Sequence, residues 1–159
     1  MARAQQLPRR AHRPDLENNH RLRILAVDPG SKNVGLALSD PTATIAQGLE
    51  TVPAEPAGTL AARVAQIART NDVARIVVGL PRRLDGSHGP EAKSAQKLAN
   101  AIRAESGLPV ELVDERLTTV AAERSLIAGG MRREKRRLRV DRVAATLMLQ
   151  AHLDRRRAG

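Results

Sequence analysis

Cysteine is absent from the 159 residues, which excludes disulfides, thiol nucleophiles and every zinc site built on a thiolate. The four histidines, His12, His20, His88 and His152, are scattered without an HExxH or other paired spacing, so zinc hydrolysis is not indicated. Phe, Tyr and Trp are missing too. Bases therefore have no aromatic side chains to stack on, and contact with nucleic acid has to work through phosphates, shape and arginine. The same absence makes the core aliphatic. No run approaches the roughly 18 apolar residues of a spanning helix, and the N-terminus lacks the apolar centre of a signal peptide. A cytoplasmic protein with no membrane association is expected.

What is abundant is positive charge. Lys and Arg number 27 against 17 Asp and Glu, a formal +10 with a sequence pI near 11.5, which favours a polyanionic partner and nucleic acid first. The length fits one domain with a real core. Residues 1–21 are polar and basic, with two prolines and no sustained periodicity, and read as a disordered N-terminal arm. That arm either holds RNA through Arg9, Arg10 and Arg13 or is a solvated tail. Residues 22–154 form the domain, and 155–159 a basic C-terminal tail.

The organising stretch is RILAVDPGSKNVG, Arg23 to Gly35. Arg23 to Val27 reads as a strand apolar on both faces, Asp28-Pro29-Gly30 as a turn, and Val34 to Ser39 as a second strand at hairpin distance. A third apolar stretch, Thr44 to Val52, completes an antiparallel meander. Leu60, Val64, Ile67 and Ala68 recur at helical spacing over Gly58 to Thr70. Strand four, Arg75 to Leu80, stops at Pro81. Pro90 opens a helix that turns Ala92, Ala95, Leu98, Ala99 and Ile102 inward and closes at Gly107. Val110 to Val113 is a fifth strand. Thr118 or Thr119 caps a further helix that ends at Gly129-Gly130. A last helix starts near Asp141, with Val140, Ala144, Leu147, Met148 and Ala151 as its buried stripe. The order fits an α/β mixed sheet whose first strand is central and whose last two run parallel to it.

Acidic residues mark the ends of these elements: Asp28 after strand one, Asp114 and Glu115 after strand five, Asp141 at the last helix. Parallel strands one and five bring their carboxyl ends to one sheet edge, where ligands sit in open α/β sheets. Gathered carboxylates repel one another unless a cation intervenes, and Mg²⁺ or Mn²⁺ answers that need with oxygen ligands. Each residue also has a plain structural reading. Asp28 can start a tight turn, Asp141 can be an N-cap, and Asp114 and Glu115 can pair with Arg116 or Arg124. The run MRREKRRLRV, with Arg132, Arg133, Lys135, Arg136, Arg137 and Arg139, is either a phosphate-binding surface or a solvated face.

VDPGSKNVGLALSD, IVVGLPRRLDGS, VELVDERLTT and DRVAATLMLQAHL, in this order and spacing, resemble the YqgF (RuvX) family, RNase H-like Holliday junction resolvases and pre-16S rRNA processing nucleases of bacteria. The resemblance covers about Arg21 to Leu153. It implies an RNase H-like five-stranded sheet in the order 3-2-1-4-5. It puts the family's first acid on Asp28, the acidic pair on Asp114 and Glu115, the helix-borne acid on Asp141, and the Gly-x-Pro block on Gly79, Leu80 and Pro81, followed by Asp85 and Gly86. Strand four ends without an acid. Strand five lies two spacings from strand one, roughly 9 to 10 Å, a gap that a long Glu covers better than Asp, so Glu115 ranks above Asp114.

The expected activity is a metal-dependent endonuclease acting on structured RNA, the precursor of 16S rRNA, in ribosome biogenesis. Asp28, Glu115 and Asp141 hold the ions; Lys32 and the Arg132 to Arg139 run hold phosphates. Cleavage of four-way DNA junctions in recombination is the alternative at the same site, with the chain acting as monomer or homodimer. A non-catalytic RNA-binding ribosome assembly factor is a third reading. An actin-like sugar kinase needs two such domains, and the chain holds one.

Overall fold

In a computed structural model, described for residues 22–30, 32–81, 89–114 and 133–158, β1 (Arg23–Asp28) is the centre of a sheet covered on both sides. β2 (Asn33–Ser39) and β3 (Ala46–Pro53) follow as an antiparallel meander. After α1 (Ala57–Thr70), β4 (Val73–Leu80) returns parallel to β1. α2 (Pro90–Ser106) leads to β5 (Val110–Asp114), parallel to β4, and α3 (Arg133–Ala158) ends the chain. The five strands run in the order β3-β2-β1-β4-β5, as the resemblance implies. The expected helix after Thr118, its stop at Gly129-Gly130, the Asp85-Gly86 loop and residues 1–21 lie outside the described residues. No helix among the described residues is long and apolar enough to cross a membrane.

Strand alternation divides the core into two unlike halves. Leu25 and Val27 of β1, Val34, Leu36 and Leu38 of β2, and Ile76 and Val78 of β4 face one side, where they pack with Leu60, Val64 and Ala68 of α1 and Ala99 and Ile102 of α2. The other face is built from smaller residues. Ile24, Ala26, Ala37 and Val77 meet Ala145, Met148, Leu149 and Leu153 of α3. Small side chains let the helix approach the sheet closely, and Gly48, the β3 partner of Ala37, extends that shallow surface to the edge strand. α2 stops where Gly107 takes the left-handed conformation (φ 68°) and returns its N–H to the carbonyl of Arg103, which glycine does at no steric cost.

Two expectations for the last helix are corrected. It begins at Arg133 rather than near Asp141, so the basic run is helical and Asp141 is an interior residue, not a cap. Its buried stripe is Ala144, Ala145, Met148, Leu149, His152 and Leu153, while Leu147 is 38% exposed. Leu147, Met148 and Leu149 span about 200° of a helix at 3.6 residues per turn. Packing on the sheet, not residue type, selects which part of that arc turns inward.

Candidate active site

Among the described residues, the buried polar or charged side chains are Asp28, Ser39 and His152. Ser39 is explained by the fold alone. Its hydroxyl accepts the N–H of Ile24 at 2.8 Å and donates to the carbonyl of Asp40 at 3.0 Å, joining β1 to the end of β2. Asp28, 7% exposed, is different in kind, because a carboxylate is costly to bury unless charge or hydrogen bonds compensate it. It is the last residue of β1, and alternation from Ile24 and Ala26 turns it to the α3 face.

The register shows what flanks it. Asp28 pairs with Gly35 of β2, and Gly35 with Thr51 of β3. On the other side Val27 pairs with Val78, so the next residues, Asp28 and Gly79, stand side by side, and Gly79 pairs with Val113 of β5. One row across the sheet therefore reads Thr51, Gly35, Asp28, Gly79, Val113. Neither neighbour of Asp28 has a β-carbon, which leaves its carboxylate the only side chain at the centre of the row.

α3 runs over this row in the sense opposite to β1. Near its C-terminal end, Gln150 accepts the Ala46 N–H at 2.9 Å and donates to the Thr44 carbonyl at 3.0 Å, at the start of β3. Ala46 is level with Ser39, whose hydroxyl meets Ile24. One and two turns earlier, Thr146 and Arg142 lie against Gly48, further along β3 toward Thr51. Four residues of β1 separate Ile24 from Asp28, about 13 Å. Nine residues of α3 separate Gln150 from Asp141, also about 13 Å. The backbone of Asp141 is thus carried to the level of Asp28.

Asp114 is placed differently. It pairs with Leu80, which packs with Ala92 and Ala95 of α2, so the register sets Asp114 on the face opposite Asp28, where it is exposed. Glu115 and Arg132 lie outside the described residues. Arg133, Lys135, Arg136, Arg137 and Arg139 occupy the first two turns of α3, ahead of Asp141. Lys32 is exposed just before β2, at the edge where Asp28 ends β1, and its carbonyl accepts the Ala54 N–H at 2.8 Å. No group of three or more His, Asp or Glu among the described residues is drawn close enough to hold a metal.

His152 lies at the opposite end of the sheet. Its Nε2 is buried without a hydrogen-bond partner, and Glu111 is 4.0 Å away, too far for a hydrogen bond. Burial lowers its pKa below the usual 6.5; Glu111 opposes this, and the charges of Arg156, Arg155 and Arg75 add to it. Sequence reading gave His152 no role and named Gly79 only within the Gly-x-Pro block, since the alignment of Gly35 and Gly79 with Asp28 exists only once the strand register is known.

The model of the RuvX family, described as Holliday junction resolvase, matches residues 22–155. A protein of Moorella thermoacetica named "Putative pre-16S rRNA nuclease" is 46% identical over 134 residues, covering 84% of this chain and 96% of its own length. One of the same name from Listeria monocytogenes is 43% identical over 135 residues, covering 84% of this chain and 98% of its own. Among solved structures, RuvC of T. thermophilus in complex with a Holliday junction substrate aligns at a TM-score of 0.50 and 18% identity, covering 83% of this chain and 96% of that one. That likeness concerns the fold.

Proposed function

The chain belongs to the RuvX family, a nuclease family, and we propose that it is a metal-dependent endonuclease that hydrolyses phosphodiester bonds in structured RNA, with the precursor of 16S rRNA as substrate. The observation that carries the proposal is the buried carboxylate of Asp28, flanked by Gly35 and Gly79 on the face that α3 crosses with Asp141.

In this reading Asp28, Glu115 and Asp141 hold Mg²⁺ or Mn²⁺. The donor chemistry fits, since carboxylate oxygens are the ligands hard divalent cations take, and nothing softer lies on the Asp28 row. When bound, such ions stabilise the attacking and leaving oxygens of an in-line displacement. The chain supplies the rest. Asp28 is held rigidly because its strand is paired on both sides and buried on both faces. The glycine neighbours leave space for a phosphate above the row. Lys32 and the cationic first turns of α3 neutralise flanking phosphates. Asp114 contributes charge from the far face rather than a ligand, which leaves strand five's part to Glu115. The protein acts in the cytoplasm, on a ribosomal precursor.

Nicking of four-way DNA junctions is a second reading, favoured by the family's description as Holliday junction resolvase. Both are tested by incubating wild type and Asp28→Asn with pre-16S rRNA and with four-way junctions, in Mg²⁺ and in Mn²⁺. The expected outcome is cleavage of the RNA by wild type, none by the variant, and nearly equal binding by both. Preferential cutting of junctions would move the assignment to the second reading. Failure of wild type to cut either substrate would make the chain a non-catalytic RNA-binding assembly factor.

A further inference from the structure

Positive charge on α3 is gathered at its two ends. Before its middle the helix carries Arg133, Lys135, Arg136, Arg137, Arg139 and Arg142; no Lys or Arg follows until Arg155, Arg156 and Arg157. Basic residues at a helix C-terminus are favoured by the macrodipole, and that alone would account for one or two of them. It does not account for Arg75. This residue is on β4, pairs with Ile24, and so lies on the face that α3 covers. Arg155 and Arg156 are three and four residues beyond His152, one turn along the same side of the helix, and His152 faces Glu111 of β5, beside β4. Arg75, Arg155 and Arg156 all act on the His152 imidazole, which agrees with their convergence. Arg155, Arg156 and Arg157 are exposed; Asp154 lies 4.0 Å from Arg157, Glu111 faces His152, and Asp40 and Asp72 flank β2 and β4 at the same end of the sheet.

We infer that Arg75, Arg155, Arg156 and Arg157 form a second phosphate-binding surface, which holds the double-helical arm of the substrate at the end of the sheet opposite Asp28. The inference rests on the proposed nuclease reading and extends it to the kind of substrate taken. Fourteen to sixteen residues of α3 separate Asp141 from Arg155 to Arg157, about 21 to 24 Å at 1.5 Å per residue. At roughly 3.4 Å per pair for B-form DNA, and less for A-form RNA, that is at least six to seven pairs beyond the scissile phosphate. The substrate class is therefore a duplex arm longer than about six base pairs, not a short single strand. Between the two clusters α3 carries no Lys or Arg and leaves Leu147 exposed, so the backbone is gripped at two points rather than along a continuous track.

The test measures binding of RNA duplexes of about 6, 12 and 18 base pairs by wild type, by the triple variant Arg155→Gln, Arg156→Gln and Arg157→Gln, and by Arg75→Gln, with cleavage followed in parallel. Wild type should gain affinity between about 6 and 12 pairs, and the triple variant should not. On the longest duplex the loss of three phosphate contacts should flatten the salt slope by about 2.7, so that raising salt from about 50 to 200 mM costs the variant about 40-fold less affinity than wild type. Arg75→Gln should show the same length-dependent loss in part; a helix-end effect alone would leave it unchanged. Equal length responses in wild type and both variants, with Asp28-dependent cleavage intact, would overturn the second surface and leave the nuclease reading standing. A length response lost in the variants while wild type cuts nothing would support the surface and remove the nuclease reading.

Discussion

Replacing Gly48 by Ala tests how closely α3 must lie on the sheet. A β-carbon at position 48 would sit 2.8 Å from Cγ and 3.0 Å from Cδ of Arg142, and 3.3 Å from Oγ1 of Thr146. The first two distances are too short for carbon atoms at rest, so either the Arg142 side chain changes rotamer or the helix lifts. Alanine in a strand is intrinsically better than glycine by about 0.5 to 1 kcal/mol. Overpacking costs about 1 to 3 kcal/mol. The clash therefore outweighs the gain, and a net loss of about 1 kcal/mol is expected, or about 2 to 4 °C in thermal midpoint for a chain of this size. Urea denaturation of wild type, Gly48→Ala, Arg142→Ala and the double variant supplies a cycle. With Arg142 cut back to Ala, both offending atoms are gone, and the added methyl should be neutral or stabilising; the coupling should reach about 1 kcal/mol or more. Because Asp141 adjoins Arg142, Gly48→Ala should also slow cleavage more than it weakens substrate binding. An equal loss of stability with Arg142 present or absent would refute the close-approach argument.

The remaining predictions concern α3 and its buried histidine. Leu149→Ala should cost about 2 to 5 kcal/mol and Leu147→Ala no more than about 0.5, measured by denaturation; similar values for the two would contradict the observed orientation of the helix. His152 has a folded pKa below 6.5, so the unfolded chain takes up its proton first as the solution is acidified. Stability from this group is thus present above about pH 6.5 and lost as pH falls toward the depressed folded value. The thermal midpoint of wild type should drop more between about pH 8 and 5.5 than that of His152→Leu, which removes both the titration and the unpartnered Nε2, and parallel drops would exclude the histidine as the cause.

Most of the sheet was readable because its strands are locally distinct. β1 and β4 are continuous apolar runs of the kind buried on both faces, and proline or glycine marks where each stops. The two-sided core followed from these runs, as did the acid at the end of β1. What could not be read was register. Nothing local in the sequence says which face Asp114 takes; that follows only from pairing Asp114 with Leu80 and from Leu80 packing under α2.

The start of α3 was missed for a physical reason that alters how Asp141 is understood. A run of like charges weakens an isolated helix through repulsion between side chains three and four residues apart, so MRREKRRLRV gave no apolar stripe and no cap to mark a beginning. Asp141 then looked like the natural N-cap of what followed. With the helix starting at Arg133, no orphan N–H group remains at position 141 for its side chain to serve as a cap. In a helix interior, aspartate is worse than alanine by about 0.5 to 0.7 kcal/mol. The capping explanation for an acid at this position is thereby removed. What is left, beside the charge of Arg137 four residues before it, is position: an acid carried by the helix to the level of a buried Asp28 with glycine on either side.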